Sequence, residues 1–150
     1  MVILENIKNS DTIKLLKECD LGTKMAVSSI DEVLELLPNT DMKQLLTESK
    51  NHHEKLGNEI HTRLTQHNIG EHDPSPIAKG MSWLETNIKI GMDNSDEAVA
   101  DLITNGCDMG IKSLNKYLNL YQTADINSKH LCKKLISIEE KLSKELRKYL

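Results

Sequence analysis

Apolar residues recur along this chain every three or four positions, the spacing that lines up one face of an α-helix. Five segments show this spacing, and capping residues, prolines and glycines separate them. The predicted segments run from Ser10 or Asp11 to Leu37, from Thr40 as the cap to about Asn68, from Ser75 to just before Gly91, from Ser95 to about Thr123, and from Asp125 or Asn127 to Leu150. No stretch alternates apolar and polar residues between turn signals, so no strand is predicted.

The four long segments carry the apolar faces of a helical bundle. Each is about 40 Å long at roughly 1.5 Å per residue, and short connections join the first to the second and the fourth to the fifth. Such pairs form antiparallel hairpins, and two hairpins bury their apolar faces against each other. The predicted fold is an all-α, antiparallel four-helix bundle with a short extra helix in the crossover between the second and fourth segments. At 150 residues, residues 1–150 are expected to form one domain.

The core-facing positions of each long segment follow from placing residues at 100° intervals around the helix axis. In chain order they are Ile13, Leu16, Val27, Ile30, Leu34 and Leu37; Met42, Leu45, Leu46, His53, Leu56, Ile60 and Leu64; Val99, Leu102, Ile103, Leu114, Tyr117, Leu120 and Tyr121; and Leu131, Leu135, Ile138, Leu142, Leu146 and Tyr149. The chain has no Phe and one Trp, so the core is aliphatic and stacking platforms for nucleic-acid bases are scarce.

Polar residues interrupt these apolar faces near the middle of the bundle. His53 lies within about 20° of the centre of its face, and Asp20, Thr23 and Ser49 complete a predicted polar layer. A buried Asp20–His53 pair is a candidate functional feature, because burial perturbs the pKa of both groups. The favoured interpretation is a structural histidine that is hydrogen-bonded to Asp20, Thr23 or a water molecule.

Two glycines and a serine, Gly106, Gly110 and Ser113, face the same layer from the fourth segment. A glycine in a helix interior costs about 1 kcal/mol relative to alanine, so these glycines need a compensating role. Close packing of a neighbouring helix is the favoured explanation, and space for a ligand or water is the alternative.

Charge and cysteine spacing narrow the classes of function. The net charge of −4 disfavours nucleic-acid binding, which needs a basic face. No apolar run approaches the roughly 20 residues that span a bilayer, and the first residues lack the features of a signal peptide. We therefore expect no membrane association and a cytoplasmic location. Cys19, Cys107 and Cys132 form no CxxC pair, and they are expected to be buried thiols rather than disulfides or zinc ligands.

Four stretches give the chain a resemblance to a known group of proteins. They are LLKECDLGTKMA (15–26), HHEKLGNEIHTRL (52–64), GMSWLETNIKIGMDNSDEAV (80–99) and NGCDMGIKSLNKYL (105–118). In this order they resemble the ferritin-like superfamily, and within it a group of uncharacterised bacterial proteins. Those proteins have a helical hairpin, a short helix with a tryptophan, and a second hairpin. The resemblance covers most of the chain and implies a ferritin-like bundle.

The resemblance also implies where metal ligands would lie. Metal-binding members use a Glu from each of two helices and a Glu-x-x-His motif from each of the other two. Here His53 matches a histidine of that pattern, but Lys50 stands three residues before it. Glu139 matches a glutamate, but Leu142 stands three residues after it. With Asp20 as the nearest inward carboxylate of the first segment, the candidate ligands are His53, Glu139 and Asp20, which are too few acids for two iron cations.

Three classes of function remain. The favoured class is a non-catalytic, ferritin-like bundle with a structural or protein-interaction role, which associates with itself or with another protein and uses no cofactor. The alternative is a metal-dependent protein that handles iron or carries out redox chemistry with His53 and nearby carboxylates. The third is a helical module that binds a small apolar ligand beside Gly106 and Gly110. No catalytic or cofactor-binding residue is predicted, and enzymatic activity is left open with a non-catalytic role favoured.

Overall fold

A computed structural model describes residues 2–67 and 95–150, and within these ranges the chain is helical and contains no strand. The helices are α1 (Val2–Leu34), α2 (Thr40–Gln66), α3 (Asp96–Leu120) and α4 (Ile126–Leu146), followed by a 3₁₀ turn (Arg147–Tyr149). These four helices confirm the long predicted segments, and the short helix predicted from Ser75 lies outside the described residues. No helix in the described ranges is long and apolar enough to cross a membrane.

Side-chain caps set the beginnings of three helices. The Oδ1 atom of Asn39 accepts a hydrogen bond from the backbone N–H of Met42 at 3.0 Å. Asn39 is therefore the N-cap of α2, and the prediction of Thr40 was wrong. Ser95 and Asp125 cap α3 and α4 in the same way. Ser95 was the predicted start, and Asp125 was one of the two predicted starts of the last helix.

Helix α1 differs from its predicted bounds at both ends. It begins at Val2 rather than at Ser10, because the first residues contain no glycine or proline that would stop the helix. It ends at Leu34 rather than at Leu37. The second difference has a steric cause, since a proline, here Pro38, disfavours the helical conformation in the residue before it.

The packing is that of two hairpins, α1 with α2 and α3 with α4. Helix α2 also packs on α4, and α1 contacts both α3 and α4. At one end of the bundle, Asn39 Nδ2 donates to Asp96 Oδ2 at 3.0 Å, so α2 and α3 begin at the same end. At the other end, the Thr123 hydroxyl donates to Asp11 Oδ2 at 2.6 Å. Helices α2 and α3 are therefore parallel, and each is antiparallel to its hairpin partner.

The aliphatic core consists of two clusters separated by a buried polar layer. One cluster comprises Ile30, Val33, Leu37, Met42, Leu46, Val99, Ala100, Leu102, Ile103, Cys107, Leu142 and Leu146. The other comprises Leu15, Leu16, Cys19, Leu56, Ile60, Leu64, Leu114, Ala124, Leu131, Cys132, Leu135 and Ile136. Between them lie Thr23, Ser49, His53 and Glu139, all buried. Thr23, Ser49 and His53 were predicted for this layer, whereas Glu139 was not. The predicted core residue Leu120 is 64% exposed, because α3 ends at this residue rather than at Thr123.

Candidate functional site

The centre of the polar layer is a histidine with a partner on each ring nitrogen. His53 is fully buried on α2. Its Nδ1 atom lies 2.8 Å from the backbone carbonyl oxygen of Ser49, one turn earlier. Its Nε2 atom lies 2.8 Å from Oε1 of Glu139 on α4. A carbonyl oxygen can only accept, so Nδ1 carries a hydrogen and Nε2 is the nitrogen that faces the carboxylate.

The contact with Glu139 controls the charge of this histidine. Burial lowers the pKa of His53, because the low-dielectric interior disfavours the imidazolium. The hydrogen bond and the negative charge of Glu139 act in the opposite direction and outweigh burial, so the pKa of His53 lies above its ordinary value. The two side chains form a buried histidine–glutamate pair, and Glu139 is itself only 8% exposed.

The predicted Asp20–His53 pair is wrong. Asp20 is buried on α1 as expected, but its Oδ2 atom lies 2.9 Å from Nζ of Lys24, one turn later on the same helix. The half-exposed lysine reaches this carboxylate from the solvent side. Although α1 also packs on α2, the Nε2 atom of His53 is occupied by Glu139 of α4, whose Oε1 atom lies 2.8 Å away.

Of the three candidate metal ligands, the structure brings two together and leaves the third apart. His53 and Glu139 are in direct contact, whereas Asp20 is paired with Lys24. Among the described residues, no three His, Cys, Asp or Glu side chains are grouped so that they could hold a metal ion. Lys50, at the position where the family pattern has a glutamate, forms an ion pair with Asp31 at 2.6 Å.

An apolar cleft of about 330 Å³ opens beside this pair, between α1 and α3 with α4 as its floor. The α1 lining is Glu18, Leu21, Gly22, Met25, Ala26, Ser29 and Ile30. The α3 lining is Leu102, Ile103, Gly106, Cys107, Met109, Gly110, Ser113, Leu114 and Tyr117, and the α4 lining is Leu135, Glu139 and Leu142. The volume falls within the range of small-molecule sites, which are mostly apolar with a few polar groups.

The two glycines of α3 border this cleft, so the expectation of close helix packing there was wrong. A Cβ atom added at Gly110 would meet nothing nearer than the Glu139 carboxylate, at 3.9 Å. The absence of side chains at Gly106 and Gly110 leaves space instead. Close approach is found at Gly57 on α2, where an added Cβ would lie 3.1 Å from Oγ1 of Thr23.

The Cys107 thiol beside the site is not activated as a nucleophile. All three cysteines are buried, free and without a disulfide, as predicted. Burial, followed by the charge and hydrogen bond of Glu139, raises the pKa of the Cys107 thiol. In a catalytic Cys–His pair the histidine contacts the thiol and takes its proton. Here the carboxylate stands between Cys107 and His53, and its charge disfavours the thiolate.

Sequence reasoning missed the His53–Glu139 contact, although a signal for it was present. Glu139 lies four residues after Leu135 and three before Leu142, so it occupies an inward position of an otherwise apolar face. An inward carboxylate needs a partner, and His53 was the inward group of opposite charge. The sequence contained no comparable signal for the cleft, since glycine spacing alone fits both a gap and a contact.

Comparison of the chain with protein-family models, with curated proteins and with solved structures found no match. The fold and the site therefore define its class by themselves. In the described residues it is an all-helical four-helix bundle with a buried histidine–glutamate pair at the floor of an apolar cleft.

Proposed function

We propose that this protein is a non-catalytic, ferritin-like bundle whose role is to bind another molecule rather than to transform it. The observation that supports this proposal best is the apolar cleft of about 330 Å³ between α1 and α3. A well-packed bundle fills such space with side chains. Here glycines stand where larger residues would close it, and a small apolar ligand suits the remaining volume.

The arrangement of the helices is consistent with a ferritin-like relationship. Two antiparallel hairpins are joined by the long connection 68–94, and α2 and α3 are parallel as a result. His53 and Glu139 lie on facing helices in the middle of the bundle, the level at which the ferritin-like pattern has its ligands. In this proposal the chain retains the helical arrangement of the ferritin-like proteins and two residues of their ligand pattern, His53 and Glu139. These two residues pair with each other.

A non-catalytic role follows from the chemistry of the same groups. The carboxylate and the imidazole are in contact with each other, so neither is available as a free general base without breaking a buried pair. The nearest thiol, Cys107, has a raised pKa. The groups that line the cleft therefore favour binding over proton transfer or nucleophilic attack.

The proposal is tested with Nile red, a neutral apolar dye that fluoresces when it leaves water. We expect saturable binding of one dye molecule per chain. The variant Gly110→Leu should abolish it, because an added Cβ at this position makes only an ordinary contact, at 3.9 Å, and the rest of the leucine would fill the cleft. Asn105→Leu is the matched control, since Asn105 is exposed on the same helix and does not line the cleft. Equal dye binding by all three proteins, or none by the parent, would overturn the proposal.

Iron handling is the second candidate, and one observation favours it. Metal-ligating histidines commonly donate their other ring N–H to a backbone carbonyl, and the Nδ1–H of His53 is held in this way by Ser49. A metal at Nε2 would have to displace Glu139 from its hydrogen bond or share it. We expect protein from iron-supplemented cells to contain well below one iron per chain. A content near two per chain, lost in His53→Leu, would establish the alternative.

The proposed association with itself or with another protein has separate support at one end of the bundle. The first turns of α1 expose three large apolar side chains, Ile3, Leu4 and Ile7, and the turn between α3 and α4 exposes Leu120 and Ile126. Exposed apolar groups that cluster in this way are typical of contact surfaces. Light scattering on the purified chain at tens of micromolar distinguishes self-association from binding to another protein, because only self-association raises the measured mass.

A further inference from the structure

Among the described residues that line the cleft, the charged groups are of one sign. They are the carboxylates of Glu18 on α1 and Glu139 on α4, and this part of the lining contains no lysine, arginine or histidine. His53 balances the charge of Glu139 but lies behind it, fully buried and outside the lining. A molecule that fills the cleft therefore reaches a carboxylate at the floor, Glu139, and meets no cation among the described lining residues.

Glu139 has unused capacity to accept hydrogen bonds on the cleft side. Its Oε1 atom accepts from His53, and the carboxylate is also near the Cys107 thiol, which is a weak donor. The Oε2 atom faces Gly110, where an added Cβ would be 4.0 Å away. An ionised carboxylate offers about four lone-pair sites. At least one site is therefore open to a donor in the space that the glycine leaves.

The second carboxylate marks the far end of the cleft. Burial, followed by the charge of Glu18 and its hydrogen bond, raises the pKa of the Tyr117 phenol. This hydroxyl belongs to α3, so the Glu18–Tyr117 contact crosses the cleft between its two walls. Glu18 is already engaged at this end, whereas Glu139 lies at the floor among leucines and glycines.

Resting on the proposed function, we infer that the ligand of the cleft is an apolar amine, with its ammonium group on the Glu139 carboxylate and its hydrocarbon body along the glycine-lined wall. Charge complementarity selects this head group. In surroundings of low dielectric constant, like charges repel and opposite charges attract more strongly than in water. A fatty acid of the same length is rejected, because its carboxylate would lie against Glu139, and the described lining residues include no cation to offset it.

The test compares three linear ligands of equal chain length, decylamine, decanol and decanoate, below their micelle concentrations at pH 7. Each is titrated against the Nile red complex, and displacement gives the affinity. We expect decylamine to bind on the order of tenfold more tightly than decanol, which corresponds to about 1.4 kcal/mol, and decanoate to bind least. Glu139→Gln should remove the advantage of the amine over the alcohol. Glu140→Gln, the exposed neighbour on the same helix, should leave it unchanged.

The outcomes separate this inference from the function on which it rests. If Nile red and all three ligands fail to bind, the proposed function is wrong. If all three bind equally well, or decanoate binds best, the cleft is a binding site and the amine inference is wrong. If Glu18→Gln, rather than Glu139→Gln, removes the preference, the head group lies at the other end and the assignment to Glu139 is overturned. Unfolding in urea checks that each variant is folded, and Glu18→Gln tests charge selection even if Glu139→Gln is unstable.

Discussion

Replacing each of three interior helix glycines by alanine provides a direct test of the packing described above. Gly22, Gly57 and Gly110 all lie inside helices, so alanine brings each the same gain in helix propensity, about 1 kcal/mol. What differs is the space for the new methyl group. At Gly110 its nearest neighbour would be 3.9 Å away, which is an ordinary contact. At Gly57 the new Cβ would lie 3.1 Å from Oγ1 of Thr23.

The identity of the neighbour decides how much of that gain is kept. Thr23 is β-branched, and its hydroxyl donates to the Asp20 carbonyl oxygen at 2.9 Å, so it cannot rotate away without losing a buried hydrogen bond. Relief at Gly57 requires α1 and α2 to separate, and such overpacking costs about 1–3 kcal/mol. At Gly22 the neighbour is a methyl group of Leu135 at 3.3 Å, the end of a flexible side chain, and the cost is smaller.

We therefore expect Gly110→Ala to stabilise the fold by about 0.5–1 kcal/mol, Gly22→Ala to be near neutral, and Gly57→Ala to destabilise it by up to about 2 kcal/mol. The assay is equilibrium unfolding in urea monitored by circular dichroism at 222 nm, with a shared slope for the series. A destabilised Gly110→Ala would show that α3 packs closely there and that the cleft is not open. A Gly57→Ala variant more stable than Gly110→Ala would refute the assigned contact between α1 and α2.

The remaining predictions concern the buried pair and the core. His53→Leu should destabilise the fold by about 3–5 kcal/mol at pH 7, because it leaves Glu139 buried without its partner; a change within 0.5 kcal/mol in urea melts would refute this. The pKa of His53 is higher in the folded protein than the ordinary histidine pKa of 6.5, which applies to the unfolded chain. Protonation of His53 therefore stabilises the fold fully below pH 6.5, and this stabilisation is lost as the pH rises through the folded-state pKa. Melts from pH 6 to 9 should show this decline, and Glu139→Gln should flatten it. Leu56→Ala and Leu135→Ala should each cost about 2–5 kcal/mol, and losses under about 1 kcal/mol would mean that the core faces are misassigned. The three buried cysteines should react with Ellman's reagent only after urea is added, and rapid reaction of the folded protein would contradict their burial.

The helices could be predicted because the information for them is local. Apolar spacing and capping residues act over three or four positions, so all four long helices were predicted, with the start of α1 as the main error. Nothing in the sequence around Val2 supports burial, and the side chains of Ile3 and Leu4 are indeed exposed. The helix continues to Val2 because no residue stops it. A prediction from the spacing of buried apolar residues cannot detect a helical turn that buries none.

The contacts of the site could not be predicted in the same way, because they depend on the relative height and rotation of separate helices. His53 and Glu139 are 86 positions apart, and a helical wheel gives the direction of each side chain but not its level in the bundle. For this reason Asp20 was correctly predicted to be buried, but it pairs with Lys24 and not with His53. The glycines could not be distinguished from the sequence either, because Gly57 and Gly110 both lie inside helices. Gly57 lies at a close contact between α1 and α2, whereas Gly110 borders the cleft.

The position of the pair argues that it serves the cleft rather than the stability of the fold. A buried ion pair gains little over well-packed apolar residues of similar volume, because the cost of removing both charges from water offsets their attraction. Two leucines at these positions would join the clusters above and below the layer without that cost. What leucine could not provide is a carboxylate oxygen at the floor of an apolar space, with a histidine ring nitrogen 2.8 Å behind it. His53 is fully buried and outside the cleft lining, and it contacts Glu139 from the buried side, so Glu139 is the group that the proposed ligand would contact.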